Sequence, residues 1–139
     1  MARDGGVRAA LRSAGLGLAD PALWSLDARP APVDIACELA RAMEVGRFSR
    51  RGKTWVQTVY TVALSAQDLD RYRDRRTELV ATLKDTLAWW AAEHGYALPG
   101  ALRVRLHADT DLKPGQLSIE AGLRAEEAAK LGRTRRHSE

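Results

Sequence analysis

Between residues 53 and 65 the chain reads KTWVQTVYTVALS, and this run constrains the fold more than any other. Val56, Tyr60, Val62 and Leu64 fall on one face, while Trp55, Gln57, Val59, Thr61 and Ala63 fall on the other. A period of two is the mark of a half-buried strand. Trp55 and Val59 make the second face less polar than a fully solvated one, so it too is expected to be covered in part. A strand buried on one face needs partner strands and a layer to pack against.

The flanks supply both. Upstream, PVDIACELARAMEV places Ile35, Ala36, Leu39, Ala40 and Met43 on one helical face, with Pro32 in the first turn and Asp34 near the positive helix end. Cys37 lies close to that face and reads as a small buried hydrophobe. Gly46 is placed to end the helix, and Arg47, Arg50, Arg51 and Lys53 follow as a basic loop entering the strand. Downstream, Ser65 stands three residues before Asp68 as an approximate capping box, and Leu69, Tyr72, Leu79, Leu83, Leu87 and Trp90 keep helical spacing, with Arg76 where an apolar residue belongs. A single helix over this run would be about 42 Å long. A break near residues 75–77 therefore divides it in two, and Gly95 closes the second helix with His94 in its last turn.

ALRVRLHAD alternates Leu102, Val104 and Leu106 against Arg103, Arg105 and His107, and QLSIEAGL alternates Leu117, Ile119 and Ala121 against Gln116, Ser118 and Glu120. Pro114 and Gly115 between them predict a tight reversal, so the pair reads as a hairpin. The expected fold is α+β, a small three-stranded sheet with helices packed on one face. Its order is helix, strand, helix, helix, strand, strand, and a short C-terminal helix is allowed. Residues 1–30, broken by DARPAP, form a lead-in with one short helix around Leu23 to Leu26. Residues 31–123 form the domain, and 124–139 form a basic tail with a turn or two of helix before disorder.

The 139 residues suit one domain with a real core. One cysteine allows no internal disulfide, no Cys/His cluster has zinc spacing, and no apolar run has signal-peptide or membrane-span character. A cytoplasmic protein is expected, without metal or cofactor. The net charge of +4 favours anionic partners in general without choosing among them.

Catalytic patterns are missing. The sequence contains no GxSxG, GxxxxGK[ST], HExxH or GxGxxG. His94, His107 and His137 read as surface histidines, and Asp109 and Asp111 flank a turn that favours aspartate for its own backbone geometry. The order strand, helix, helix, strand, strand, helix is that of a type I KH domain, but YRDRRTEL stands where a GXXG loop would clamp a nucleic-acid backbone. Arg47, Arg50, Arg51, Lys53, Arg103 and Arg105 would support only weak, sequence-indifferent phosphate contact. Trp90 fits the helix stripe, while its neighbour Trp89, about 100° away, lies at the stripe's edge as a core cap or an exposed anchor.

Three stretches together, APVDIACELARAMEV, RGKTWVQTVYTVALSAQDLDRY and ALRVRLHADTDLKPGQLSIEAGL, resemble the N-terminal domain of actinobacterial forkhead-associated (FHA) proteins of the FhaA type, a domain of unknown function. Pro32, Val33, Asp34, Ile35 and Ala36 match its first patch, and Gly52, Lys53, Thr54, Val56, Tyr60, Val62, Leu64 and Ser65 match its second in kind. Gln57-Thr58 replaces the usual Pro-Asn, and Ala66 the usual proline after the serine, as in a divergent member. The resemblance implies an interaction module without known catalytic residues. Related proteins continue to an FHA domain that recognises phosphothreonine, and some act in Ser/Thr-kinase control of cell-wall synthesis and division. Since the sequence ends at Glu139, the expectation is a stand-alone copy without phosphothreonine recognition. The combined expectation is a non-catalytic adaptor for a protein partner, with Arg47, Arg50, Arg51, Lys53, Trp89, Arg103, Arg105 and His107 as candidate contact residues. Weak nucleic-acid binding through a basic sheet face is the alternative.

Overall fold

The computed structural model describes residues 2–14, 17, 18, 20, 24 and 29–136. Two helices come first, α1 (Ala2–Ser13) and α2 (Pro32–Val45). A hairpin of β1 (Phe48–Arg50) and β2 (Lys53–Trp55) follows, then β3 (Val59–Leu64). Next are α3 (Ala66–Asp70), a 3₁₀ turn at Arg73–Arg75 and α4 (Arg76–Glu93), then β4 (Arg103–Ala108), β5 (Leu117–Gly122) and α5 (Ala125–Arg136). The mixed architecture and the three-stranded sheet agree with the expected α+β class.

Helix α2 starts as its sequence dictates. The Asp34 carboxylate accepts the Ala31 amide at 2.8 Å and the Arg8 guanidinium at 2.6 Å. Burial alone would raise the Asp34 pKa, but these bonds and the Arg8 charge outweigh it and hold the pKa below its ordinary value. Gly46 ends the helix at φ −89°, so space and not handedness favours its glycine: a Cβ would stand 3.1 Å from Gln57 Cγ and 3.3 Å from Ala42 O. Cys37 is buried, and burial pushes its thiol pKa up.

Four expectations are corrected. The basic loop is itself a hairpin, with Arg50 opposite Lys53 and a two-residue turn in which Arg51 (φ 54°) and Gly52 (φ 78°) are both left-handed, as the strand twist favours. The run from 53 to 65 is not one strand, because it leaves the hairpin sheet after Trp55 and re-enters the main sheet at Val59. Strands β4 and β5 do not form a hairpin. Strand β3 lies between them, parallel to β4 and antiparallel to β5, because the connection at residues 109–116 is long enough to cross the end of β3. The Asp68 carboxylate receives the Gly115 amide at 2.6 Å and holds that crossing. Lastly, α5 runs to Arg136 where disorder was expected after a turn or two.

The early helix lies at Ala2–Ser13, and the one expected near Leu23 to Leu26 lies outside the described residues apart from Trp24, which is buried. The long helical run breaks as expected. Ser65 Oγ accepts the Asp68 amide at 3.0 Å, and α4 begins at Arg76 after the 3₁₀ turn. Helices α3 and α4 form the crossover that parallel strands require.

The core lies between sheet and helices. Tyr60, Val62 and Leu64 of β3, with Val104 and Leu106 of β4, meet Ile35, Leu39 and Met43 of α2 and Leu79, Leu83 and Leu87 of α4. Leu11 of α1 is also fully buried in this cluster. On the other sheet face, Arg103, Arg105 and His107 are exposed.

Candidate functional site

The predicted contact residues lie on several elements. Arg47 turns back to the end of α2, donating to the Glu44 carbonyl at 2.5 Å and lying 3.3 Å from its carboxylate. Arg50, Arg51 and Lys53 belong to the hairpin, where the Lys53 ammonium sits 5.6 Å from the Trp55 ring centre and the Trp55 indole donates to Arg50 O at 3.1 Å. Arg103, Arg105 and His107 line the outer face of β4, in register with Val59, Thr61 and Ala63. Trp89 is half-buried against the core, with its ring 6.4 Å from that of Trp90.

Two clefts meet at the C-terminal end of α2, and sequence reading found neither. One, of about 530 Å³, is lined by Val7, Ala40, Arg41, Glu44, Val45, Arg47, Trp90 and His94. Glu44 organises its wall. One carboxylate oxygen accepts the Trp90 indole at 3.0 Å and the Tyr96 hydroxyl at 2.5 Å. The His94 ring lies 4.2 Å from Trp90 and stacks 5.5 Å from Tyr96, and its Nδ1 faces Trp90 O at 2.9 Å, so the proton belongs on Nδ1. Burial first, then the Glu44 bond and charge, push the Tyr96 pKa to about 12. The polar groups of this network are satisfied, and it holds no nucleophile paired with a base.

The second cleft, of about 450 Å³, runs between α2 and β5, with Glu38, Arg41, Ala42 and Val45 on the helix side and Leu117, Ser118, Ile119 and Ala121 on the strand side. Val45, on both rims, is 81% exposed, the larger exposure of the two large hydrophobic side chains found exposed among the described residues.

What distinguishes this cleft is the backbone on its strand side. The Arg103 amide donates to Thr58 O and the Asp109 amide to Leu64 O, both at 2.8 Å. These bonds bracket the β3–β4 ladder and set its parity: even-numbered residues of β3 address β4, and odd-numbered ones address β5. Through the register Val59↔Gly122, Thr61↔Glu120 and Ala63↔Ser118, the residues of β5 that bond inward are Ser118, Glu120 and Gly122. The amides and carbonyls of Leu117, Ile119 and Ala121 therefore point to the free edge beside α2, and they meet no backbone or side-chain partner among the described residues. At the opposite edge one backbone group is taken up. The Arg76 guanidinium donates to the edge-facing carbonyl of Leu106, which explains an arginine in the apolar stripe of α4.

The root of the sheet is locked by one carboxylate. Glu127, in the first turn of α5, accepts the Thr58 hydroxyl, the Arg124 amide at 3.2 Å and the Arg124 guanidinium at 2.7 Å. Burial opposes its charge, but these bonds and the Arg124 charge outweigh burial and hold its pKa below the ordinary value. A Cβ on Gly100 would collide with that carboxylate and displace it from its donors.

Among the described residues, no three His, Cys, Asp or Glu side chains form a metal-ligating group, and no helix is long and apolar enough to cross a membrane. The family described as FhaA, N-terminal domain, matches residues 26–120. The chain belongs to this family. A solved structure titled "Rv0020c_Nter structure" is similar in fold, with TM-score 0.64 and 20% identity over 69% of this chain and 74% of that one. No curated protein shows significant similarity. The FhaA N-terminal match spans α2 through most of β5, so both walls of the α2–β5 cleft lie mainly within the family's own region. Helix α1 and its Arg8–Asp34 pairing to α2 begin outside it.

Proposed function

We propose that this FhaA N-terminal domain is a non-catalytic protein-interaction module, an adaptor in Ser/Thr-kinase-linked or cell-envelope regulation that works in the cytoplasm. The observation that carries the reading is the free edge of β5 beside α2. Its occupant is an extended protein segment. Edge amides and carbonyls supply main-chain bonds to such a segment, and the adjoining groove takes alternate side chains. Kinase and envelope links rest on the family resemblance alone.

The test is a photoreactive residue at position 45, with one at exposed Asp85 on α4 as control. In native cells the Val45 site is expected to give discrete protein adducts that the Asp85 site does not. Absence of any adduct above the control would overturn the reading.

The exposed row Arg103, Arg105 and His107 favours a second reading, weak nucleic-acid contact, since neither arginine has an ion-pair partner among the described residues. Such binding would weaken steeply with salt. No affinity for single-stranded RNA or DNA at low ionic strength disposes of it.

A further inference from the structure

The proposed interaction edge has a sequence that is complementary to itself. We infer that the strand completing β5 is β5 of a second copy, paired antiparallel about a two-fold axis at Ile119, so that two three-stranded sheets become one continuous sheet. This rests on the interaction reading and names its partner.

The geometry selects the register. Narrow antiparallel pairs must join residues whose amides and carbonyls both face the edge, which here means Leu117, Ile119 and Ala121. Centring on Ile119 sets Ile119 against itself and Leu117 against Ala121 of the other copy. All three edge residues are then used, and on the core side a large side chain meets a small one. On the outer face, Ser118 stands opposite Glu120 of the other copy, a hydroxyl beside a carboxylate. A shift of one pair in one direction would place Glu120 against Glu120, a like-charge pair that antiparallel strands disfavour. The opposite shift would set Ala121 against Gly115, which lies in a turn at φ 90° and offers no strand partner. Only one register satisfies both the ladder and the charges.

Charge also permits the assembly. Arg103, Arg105 and His107 sit on the edge strand away from the axis. At about 4.8 Å per strand the two β4 strands lie about 24 Å apart, beyond the Debye length of about 8 Å at physiological salt. The second β5 enters over the groove where Val45 is exposed and covers it, and at the opposite edge Arg76 already holds the Leu106 carbonyl that such pairing would use.

The experiment uses the full chain in sedimentation equilibrium from micromolar to submillimolar concentration. A concentration-dependent dimer is expected. Ser118→Glu should weaken it about tenfold or more, because by symmetry each substitution acts at two cross-strand pairs, and Ser118→Lys should tighten it. These two exposed substitutions do not touch the inner face, and opposite signs from them would not come from loss of folding. Ala121→Pro, which removes an edge-facing amide, should leave a monomer with unchanged far-UV circular dichroism. A monomer at every concentration overturns the inference, as does a dimer indifferent to the charge at position 118. In the first case, a heterologous adduct from the Val45 photoprobe leaves the interaction reading standing without self-pairing, and no adduct at all removes both.

Discussion

The two edges of the sheet are built from strands of equal length and similar alternation, yet among the described residues a side chain bonds the outward backbone of only one. On strand β4, Arg76 of α4 occupies the edge-facing carbonyl of Leu106. Strand β5 presents Leu117, Ile119 and Ala121 to an open groove, and the nearest helix, α2, carries exposed Val45 on its rim. An open edge invites pairing, and proteins usually blunt it. An arginine bonded at one edge and none at the other would favour association on the β5 side of the molecule.

The largest effect that probes this contrast lies at the point both edges share. Thr58 bonds β5 through its amide, to Gly122 O at 3.0 Å, bonds β4 through its carbonyl, and satisfies Glu127 through its hydroxyl. Thr58→Val should cost about 3 kcal/mol, because a buried carboxylate loses a donor, which urea unfolding would register as a lower midpoint at constant slope. A cost near zero would mean that α5 does not lock the sheet. The same carboxylate gives acid sensitivity. The folded pKa values of Glu127 and Asp34 are both lowered, so their contributions to stability are present above the ordinary carboxylate range and are lost as pH falls through the folded values. Melting temperature measured downward from about pH 5 should fall, and the Glu127 share of that fall should shrink in Thr58→Val.

Arg76→Met should cost about 1 kcal/mol by stripping one edge carbonyl. It should also make the two edges more alike, so that light scattering reports higher-order association where the parent chain gives a closed species. Tyr60 lies midway between the edges, opposite Val104 and Ala121, and its buried hydroxyl has no partner among the described residues. Tyr60→Phe should raise stability by about 1 kcal/mol, and a loss of that size instead would reveal a hidden acceptor. The smallest effect belongs to the open edge itself. Val45→Ser should change unfolding by less than about 0.5 kcal/mol, while weakening dimerisation.

Much of this fold could be read from side-chain periodicity. The alternation in residues 59–64, 103–108 and 117–122, the apolar stripe of α2 and the break before α4 all stand in the structure. Helix α1 was hidden because Gly5 and Gly6 lower its helix propensity, and it is held by tertiary contacts through Leu11 and Arg8. The β1–β2 hairpin was hidden because its turn uses arginine in a left-handed conformation usually given to asparagine or glycine. Strand order was misread because a Pro-Gly reversal between adjacent strands favours direct pairing, and nothing local announces that a distant strand fills the gap. The candidate site was illegible for a deeper reason. Alternation reports which face of a strand is buried, whereas an open edge depends on which backbone groups remain unbonded after the register is set.

The central place of β3 also governs how the molecule comes into being. In the main sheet no strand pairs with its nearest neighbour in the chain through a short turn: Val59 waits for Arg103 and for Gly122, each reached only after a long loop has closed. Such closures are entropically costly and slow. On the ribosome, the hydrogen-bonding groups of β3 therefore stay uncommitted until nearly the whole domain has emerged, and the strand that is most protected in the finished protein is the most vulnerable one during synthesis.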